Sequence, residues 1–540
     1  MSTTTASRPV RVRFRSAGEL TGTGALLRLA LRRDRVMLPV WALALGSLVA
    51  SGASTLEKVY ATAAQRADVA HSMGRNGSLR ALYGPVFGDS VGGLTAWRFG
   101  GFGYVLAAVM SLLIVVRHTR EEEETGRQEL LSSAMVGRRA PLTSALLAAL
   151  VANAAVALII TAGLAESTGN TAGSAALGLT TAAIGMLFAS LAAIMAQLTE
   201  SARLAKGLTG AVLGAAFLLR AAGDTATRDA SSVLDRLSPL GWAENVRPYA
   251  DERWWALLLI TAAALAQGTA AYVLAGRRDI GMSFVAPRPG PAEGSITTAY
   301  GLARRLQRGG VIGWTLGFAL AGLLFGGMTN GAADLVGDNA QTKEIIQRMG
   351  GQSGLTDAFL ATMVGMLGMV AALYATSSVL RLHGEETGQR AEPVLANAVG
   401  RVRWAAGHLV IAFGGSALIM VVGGLGLAVG YGGRTGPVLG AALVQLPAVW
   451  TLAGLAMLLY GAFPKLAQAA LAVVGVCLAL GWIGPALNLP RAVLGLSPFG
   501  RLPKLPGTPM AWTPVLVLTL IAAALVTAGL AAFRRRDLVT

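Results

Sequence analysis

Two stretches of this sequence gather the charged side chains that could do chemistry. Residues 118–139 read HTREEEETGRQELLSSAMVGRR, and residues 381–401 read RLHGEETGQRAEPVLANAVGR. Each sets an acidic run beside Arg, breaks at Thr-Gly, continues through a short segment holding Glu129 or Glu392, and closes on Gly-Arg. Glu123-Glu124-Thr125-Gly126 recurs as Glu385-Glu386-Thr387-Gly388 at an offset of 262, and Val136-Gly137-Arg138 recurs as Val399-Gly400-Arg401 at 263. A single loop of this kind is read most simply as a solvated connection between two helices. Its recurrence favours a pair of docking elements for a two-fold partner. The first loop predicts a short helix over 128–135, stopped by Gly137 in the left-handed conformation. Pro141 then falls in the first turn of the next helix, where a missing N–H costs little.

Other chemistries find little support. No Gly-x-x-x-x-Gly-Lys-Ser/Thr occurs, and all five lysines fail that pattern, so the chain carries no phosphate loop of that type. The one cysteine, Cys477, lies in an apolar run, and His71, His118, His383 and His408 are scattered without metal-ligand spacing. No paired carboxylates or nucleophile–base pair suggests catalysis. Apolar runs contain no carboxylate, with Glu166 and Glu200 at their ends, which argues against a proton relay at depth.

A few residues within or beside apolar runs are candidates for a substrate path. Phe99, Phe102 and Tyr104 form either an interfacial aromatic belt or the lining of a cleft. Arg220, after Phe217, either snorkels to the interface or meets an anionic substrate. Phe359, Met363 and Met366, with Met369 in the same three-residue spacing, give either helix packing or an adaptable surface. His408 is expected to make an interhelical hydrogen bond, and Trp254 and Trp255 to sit in the belt.

The elements that position these residues follow from composition. Of 540 residues, 54% are hydrophobic and 14% charged, and the mean hydropathy is +0.58. A soluble domain carries about a quarter charged residues. Apolar runs of the roughly 20 residues needed to cross a bilayer as helix occur twelve times, near 36–56, 99–117, 141–164, 171–198, 206–222, 254–276, 311–328, 358–380, 404–428, 436–462, 466–488 and 513–533. The fold class is therefore an all-α membrane protein with twelve transmembrane helices. Twelve spans put both termini on one side, and Lys and Arg crowd the segments on that side, which marks it as cytoplasmic. The net charge of +17 is explained by orientation rather than by nucleic acid.

Residues 1–19 read as a basic flexible arm, and Leu20 to Arg35 as an amphipathic helix in the membrane interface. The first six-helix half is 20–279, a linker follows at 280–300, and the second half is 301–540. Further repeats support the two halves. Leu237-Ser238-Pro239-Leu240-Gly241 matches Leu496-Ser497-Pro498-Phe499-Gly500 at 259, and Arg277-Arg278-Asp279 matches Arg535-Arg536-Asp537 at 258. Halves of six spans insert in the same orientation.

The paired loops, the interfacial helix before the first span, and the long outer loops 57–98 and 223–253 together resemble the type-2 ABC exporter permeases. The single-chain twelve-helix form is similar to the tetronasin-type exporters of polyketide antibiotics in actinobacteria. The resemblance implies type-2 ABC exporter architecture in two tandem repeats, with short re-entrant helices in the outer loops. It implies a bacterial plasma-membrane permease that exports bulky apolar or amphipathic drugs. Two copies of a separate ATPase would bind ATP and magnesium, and this chain would hold no cofactor. The ATPase-coupling residues it implies are Glu123, Glu124, Thr125, Gly126, Arg127, Glu129 and Leu130, with Glu385, Glu386, Thr387, Gly388, Arg390 and Glu392 in the second loop. There Gln389 interrupts the Gly-Arg pair and Pro393 replaces Leu130. A proton- or ion-coupled antiporter of six plus six helices is the alternative.

Overall fold

Backbone N–H and C=O groups find no water in hydrocarbon, so each long apolar run closes its hydrogen bonds internally as a helix. The computed structural model of the chain describes residues 18–132, 136–227, 229–279, 281–285, 294, 296–329, 355–397, 399–433, 435–482 and 490–537. Twelve helices are long and apolar enough to cross a membrane, and no strand occurs among the described residues. The protein is an all-α, twelve-span, multi-pass membrane protein.

The chain forms two compact units, Met1–Pro289 and Gly290–Thr540. Spans one to six are Met37–Val59, Val91–Glu124, Ala140–Thr168, Thr171–Leu198, Ala202–Ala226 and Trp254–Arg277. Spans seven to twelve are Ala299–Thr329, Thr356–Thr387, Arg401–Tyr431, Thr435–Ala462, Pro464–Gly481 and Trp512–Arg535. Within each unit, the near end is where its first span starts and its sixth finishes.

The two units repeat their helix pairings. The first span packs on the third and the fourth on the sixth; likewise the seventh packs on the ninth and the tenth on the twelfth. Small residues allow this close approach. A Cβ on Gly322 or Gly326 would strike the carbonyl oxygens of Gly423 and Leu427, and one on Gly430 that of Leu323. The seventh and ninth spans therefore meet backbone to backbone.

Buried polar groups tie the helices further. Asn153 Nδ2 donates to Ser111 Oγ at 2.8 Å, and Tyr272 donates to Thr143 at 2.8 Å. His408 Nδ1 lies 3.0 Å from Gln307 Nε2, the interhelical hydrogen bond its position suggested. Cys477 is buried in the core of the second unit.

Three elements differ from the apolar runs. The second span extends at both ends, through the π-turn Ala96–Gly100 and into the acidic run as far as Glu124. The amphipathic helix is a separate element in the first unit, Thr23–Arg33, because the chain breaks at Asp34, whose carboxylate is held by Arg117 at 3.2 Å and His118 at 2.6 Å. In the second unit the corresponding stretch runs unbroken into the seventh span. The fifth span reaches Ala226 rather than residue 222, since Arg80 caps its last turn, donating to the carbonyls of Asp224 at 2.8 Å and Thr225 at 3.1 Å.

The expected arm at 1–19 lies outside the described residues except for its end. There Glu19 pairs with Arg139 at 2.9 Å and accepts the Arg139 N–H at 3.0 Å. Within the expected linker the stretch 281–285 docks on the first unit, where Val285 donates its N–H to the Leu198 carbonyl at 3.1 Å.

Candidate functional site

Three of the four repeated motifs meet at one point at the near end of each unit. In the first unit Arg278, just past the sixth span, grips Glu123 with two hydrogen bonds, 2.8 Å from Nη1 to Oε2 and 2.5 Å from Nη2 to Oε1. Arg138, of the Val-Gly-Arg motif, donates to the Arg278 carbonyl at 2.7 Å. In the second unit Arg536 grips Glu386 through Nη1–Oε1 at 2.7 Å and Nη2–Oε2 at 2.6 Å. Arg401 donates to the Arg536 carbonyl at 2.6 Å. The planar guanidinium fork matches a carboxylate in this geometry. Each node locks the last turn of a unit's second span, and the Arg leading into its third, to the end of its sixth.

The other carboxylates of the first loop are used the same way. Glu121 pairs with Lys206 of the fifth span, and Glu122 with Arg33 of the amphipathic helix and Arg127. Glu123 also pairs with Arg120. Glu124 Oε1 accepts the N–H of Ala202 at 2.7 Å, at the first turn of the fifth span, where a negative charge opposes the helix dipole favourably. In the second loop Glu385 accepts from Arg381 at 2.7 Å and Arg390 at 2.9 Å. Of the residues proposed from sequence to dock a partner, Glu123, Glu385 and Glu386 are thus turned inward. Thr125, Arg127, Glu129 and Leu130, and Thr387, Gly388, Arg390 and Glu392, remain exposed, and Gly126 is partly buried. Leu130, 75% exposed, stands on the short helix Arg127–Ser132, whose counterpart is Glu392–Leu395.

The geometry corrects the register between the loops. By partner, Glu123 corresponds to Glu386 and Arg127 to Arg390, an offset of 263. The matching letters Glu-Glu-Thr-Gly align at 262 and are one residue out of step. The left-handed turn residue is Gly126, φ 70°, in the first loop and Gln389, φ 55°, in the second. Gln389 therefore occupies the Gly126 position rather than interrupting the motif. Gly137 is not left-handed. It is needed for close approach, because a Cβ there would strike the Glu19 carbonyl oxygen, and its N–H donates to the Thr21 carbonyl at 2.8 Å. The expected helix end at 133–135 lies outside the described residues.

The nodes differ in what fills the space beside them. In the first unit a cavity of about 40 Å³ is bordered by Thr119, Gln128, Pro141, Gln197 and Ala275 as well as the node, and Gln197 Oε1 is buried without a hydrogen-bond partner. In the second unit Trp404, Tyr460 and Phe533 stand at the positions of Pro141, Gln197 and Ala275. Their rings pack together, with centroids 5.2 Å apart for Tyr460–Phe533 and 6.0 Å for Trp404–Phe533. The Tyr460 hydroxyl donates to Glu386 Oε2 at 2.6 Å.

The substrate-path candidates are dispersed. Phe99 packs on the first span, where a Cβ on Gly52 would lie 2.5 Å from its ring. Phe102 is 41% exposed and meets Tyr83 edge-on, with centroids 5.7 Å apart. Tyr104 and Phe359 are buried. Met363 and Met366 are partly buried, and Met369 packs against Gly481.

Arg220 neither snorkels nor faces open space. It is 2% exposed, lies over the Phe217 ring at 4.7 Å, donates to Glu244 Oε1 at 2.7 Å and to the Ala81 carbonyl at 2.7 Å, and stands 3.6 Å from Asp224. Asp224, within the fifth-span helix, is fully buried. It stands in the last turn of that helix, past the apolar run, a span-end carboxylate like Glu166 but fully enclosed. Sequence reasoning missed it because the apolar run stops before Gly223 and the helix does not. The cluster is closed by the short helices Val233–Leu237 and Pro239–Glu244 of the loop that the sequence reading placed outside. Their repeated Ser238 anchors them by donating to the Ala216 carbonyl at 2.7 Å. Burial pushes the Glu244 carboxyl above the usual carboxylate range against the pull of Arg220, and pushes Asp235 up against its bonds to Ser232.

Comparison with known proteins bears on both units. Residues 24–274 and 296–534 match the family described as multidrug efflux system permease Rv1217c, C-terminal domain. The two matched stretches coincide with the two sets of six spans. The chain is also similar to the multidrug efflux system permease protein Rv1217c of Mycobacterium tuberculosis (strain ATCC 25618 / H37Rv). It is 44% identical over 537 residues, 98% of this chain and 97% of the relative.

Proposed function

The chain belongs to the multidrug efflux system permease family, and from that premise we propose that it is the membrane-spanning subunit of an ATP-driven ABC exporter of the tetronasin type. It moves bulky apolar or amphipathic compounds, antibiotics and drugs among them, out of a bacterial cell across the plasma membrane. Both termini and both near ends face the cytoplasm. Two copies of a separate ATPase, holding ATP and magnesium, dock on the short exposed helices Arg127–Ser132 and Glu392–Leu395.

One observation carries this reading. In each unit a two-fold Arg–carboxylate grip fastens the end of the span that leads into such a helix to the end of that unit's sixth span. A push on the loop then moves helices rather than a slack tether. A buried or half-buried ion pair of this geometry resists separation, since removing one partner costs about 3–5 kcal/mol. The inward-turned Glu123 and Glu386 act as transmission, and the exposed Leu130 and Glu392 act as contact.

The test leaves the grips intact and alters only the exposed face. Leu130→Asp with Glu392→Arg is expected to abolish co-purification with the ATPase while thermal stability of the permease stays unchanged. An undiminished complex in the double variant would overturn the docking assignment. A second reading, a proton-coupled antiporter, is favoured by the buried Asp224 beside Glu244. It requires export to fail when the proton gradient is dissipated and ATP persists.

A further inference from the structure

We infer that Asp224 and Glu244 of the first unit bind one proton between them, and that this resident proton holds the helices 77–83 and 233–244 onto the fifth span. The inference holds whichever energy source drives transport.

The argument is one of unsatisfied groups. Asp224 has no exposed surface, and neither of its carboxylate oxygens has a hydrogen-bond partner. Both carboxyls face one guanidinium nitrogen, Arg220 Nη1, which lies 2.7 Å from Glu244 Oε1 and 3.6 Å from Asp224 Oδ2. Arg220 spends its closest contact on Glu244 Oε1, and Glu244 Oε2 is buried without a partner. Asp235 adds a third carboxylate, with Oδ1 also unpartnered. Two carboxylates in contact in a dry site cannot both stay ionised. A proton on Asp224, donated to Glu244, converts repulsion into a hydrogen bond and leaves one carboxylate for Arg220.

The groups facing the pair come from every element around it. The fifth span supplies Arg220, and the helix Gly77–Tyr83 supplies Arg80, which donates to the Asp224 carbonyl. The second span supplies the Tyr104 hydroxyl, near Glu244. Asp235 comes from the helix 233–237, and Asp229 lies beyond it. Among the described residues no group of His, Cys, Asp and Glu has the geometry of a metal site. The second unit lacks the cluster. At the offset of 259 fixed by the two Leu-Ser-Pro motifs, Asp235, Glu244 and Arg220 give way to Leu494, Pro503 and Ala479. That register is confirmed by Gly241 and Gly500, where a Cβ would strike the carbonyl oxygens of Asp235 and Leu494.

The sign of the pH effect follows. Carboxyls held protonated in the folded state contribute stability that is fully present below their unfolded titration and lost progressively as pH rises through the folded one. Infrared difference spectra of the purified full chain in lipid nanodiscs test this directly. At pH 7 the wild type is expected to show a protonated carboxylic-acid C=O band that Asp224→Asn and Glu244→Gln both lack. Hydrogen exchange in 77–83 and 233–244, corrected for the intrinsic acceleration of amide exchange with pH, is expected to lose protection on raising the pH from 7 to 10 in the wild type, but not in Asp224→Asn. A wild type without the band at pH 7, a band that survives in both variants, or equal pH-dependence of protection in wild type and Asp224→Asn would overturn the inference.

Discussion

Glu386 and Arg536 face each other through two parallel hydrogen bonds, 2.7 and 2.6 Å long, although 150 residues separate them in the chain. The pair joins the last turn of the eighth span to the end of the twelfth, and Glu123 with Arg278 joins the second to the sixth in the same way. Lysine has a point charge and no fork, so Arg536→Lys should not restore what Glu386→Gln removes. Glu386→Gln, which leaves Arg536 without its counter-charge, is expected to lower stability by about 3 kcal/mol, and Arg536→Lys, which keeps the charge, by less, read as unfolding of the purified permease in detergent. Their double-mutant cycle should show strong coupling.

The Tyr460 ring fills in the second unit the space that remains a cavity in the first. Tyr460→Phe keeps the ring and removes only a hydrogen bond to a carboxylate, a loss of about 1.5–3 kcal/mol. Tyr460→Gln copies the first unit and also opens the packing against Phe533. It is expected to cost more than Tyr460→Phe in the same unfolding measurement, and equal losses would mean that the ring contributes nothing.

Gln389 adopts φ 55° where the other loop has Gly126 at φ 70°. A left-handed conformation costs a side-chain-bearing residue roughly 1–2 kcal/mol. Gln389→Gly is therefore expected to be neutral or stabilising, and Gly126→Gln destabilising by about 1 kcal/mol. Opposite signs at the two positions are the signature, and thermal shifts of the purified variants supply it.

The contact of the seventh and ninth spans depends on glycine at Gly326, where added atoms meet the Leu427 carbonyl, and not at Gly317, where nothing lies within 4 Å. Gly326→Leu should prevent accumulation of folded protein, whereas Gly317→Leu should express at the wild-type level. Size-exclusion profiles of the two variants distinguish a packed interface from a generic intolerance of large residues.

The spans were legible in the sequence because twenty apolar residues in a row have few alternatives to a buried or membrane-crossing helix. Thr171–Leu198 matches its apolar run residue for residue. The repeated motifs were also legible, but not their meeting. Nothing in Arg-Arg-Asp says that its middle Arg reaches a Glu 155 residues earlier, as Arg278 reaches Glu123. The acidic run read as a surface for others because ion pairing within the chain leaves no local trace. The one-residue slip between the loops came from matching letters, whereas the pairing of Arg127 and Arg390 and the φ values of Gly126 and Gln389 set the true register. Asp224 was hidden because hydropathy marks where a run of apolar residues ends, not where capped helix ends.

The energy source is the most direct test of the account. Inside-out vesicles holding the permease and its ATPase are loaded with a fluorescent drug and supplied with ATP, with and without a protonophore. Accumulation should need ATP, persist undiminished with the proton gradient collapsed, and vanish when a hydrolysis-dead ATPase replaces the active one. Accumulation that stops on adding the protonophore while ATP remains, or that proceeds without the ATPase, would contradict the assignment of this chain as the permease of an ATP-driven exporter.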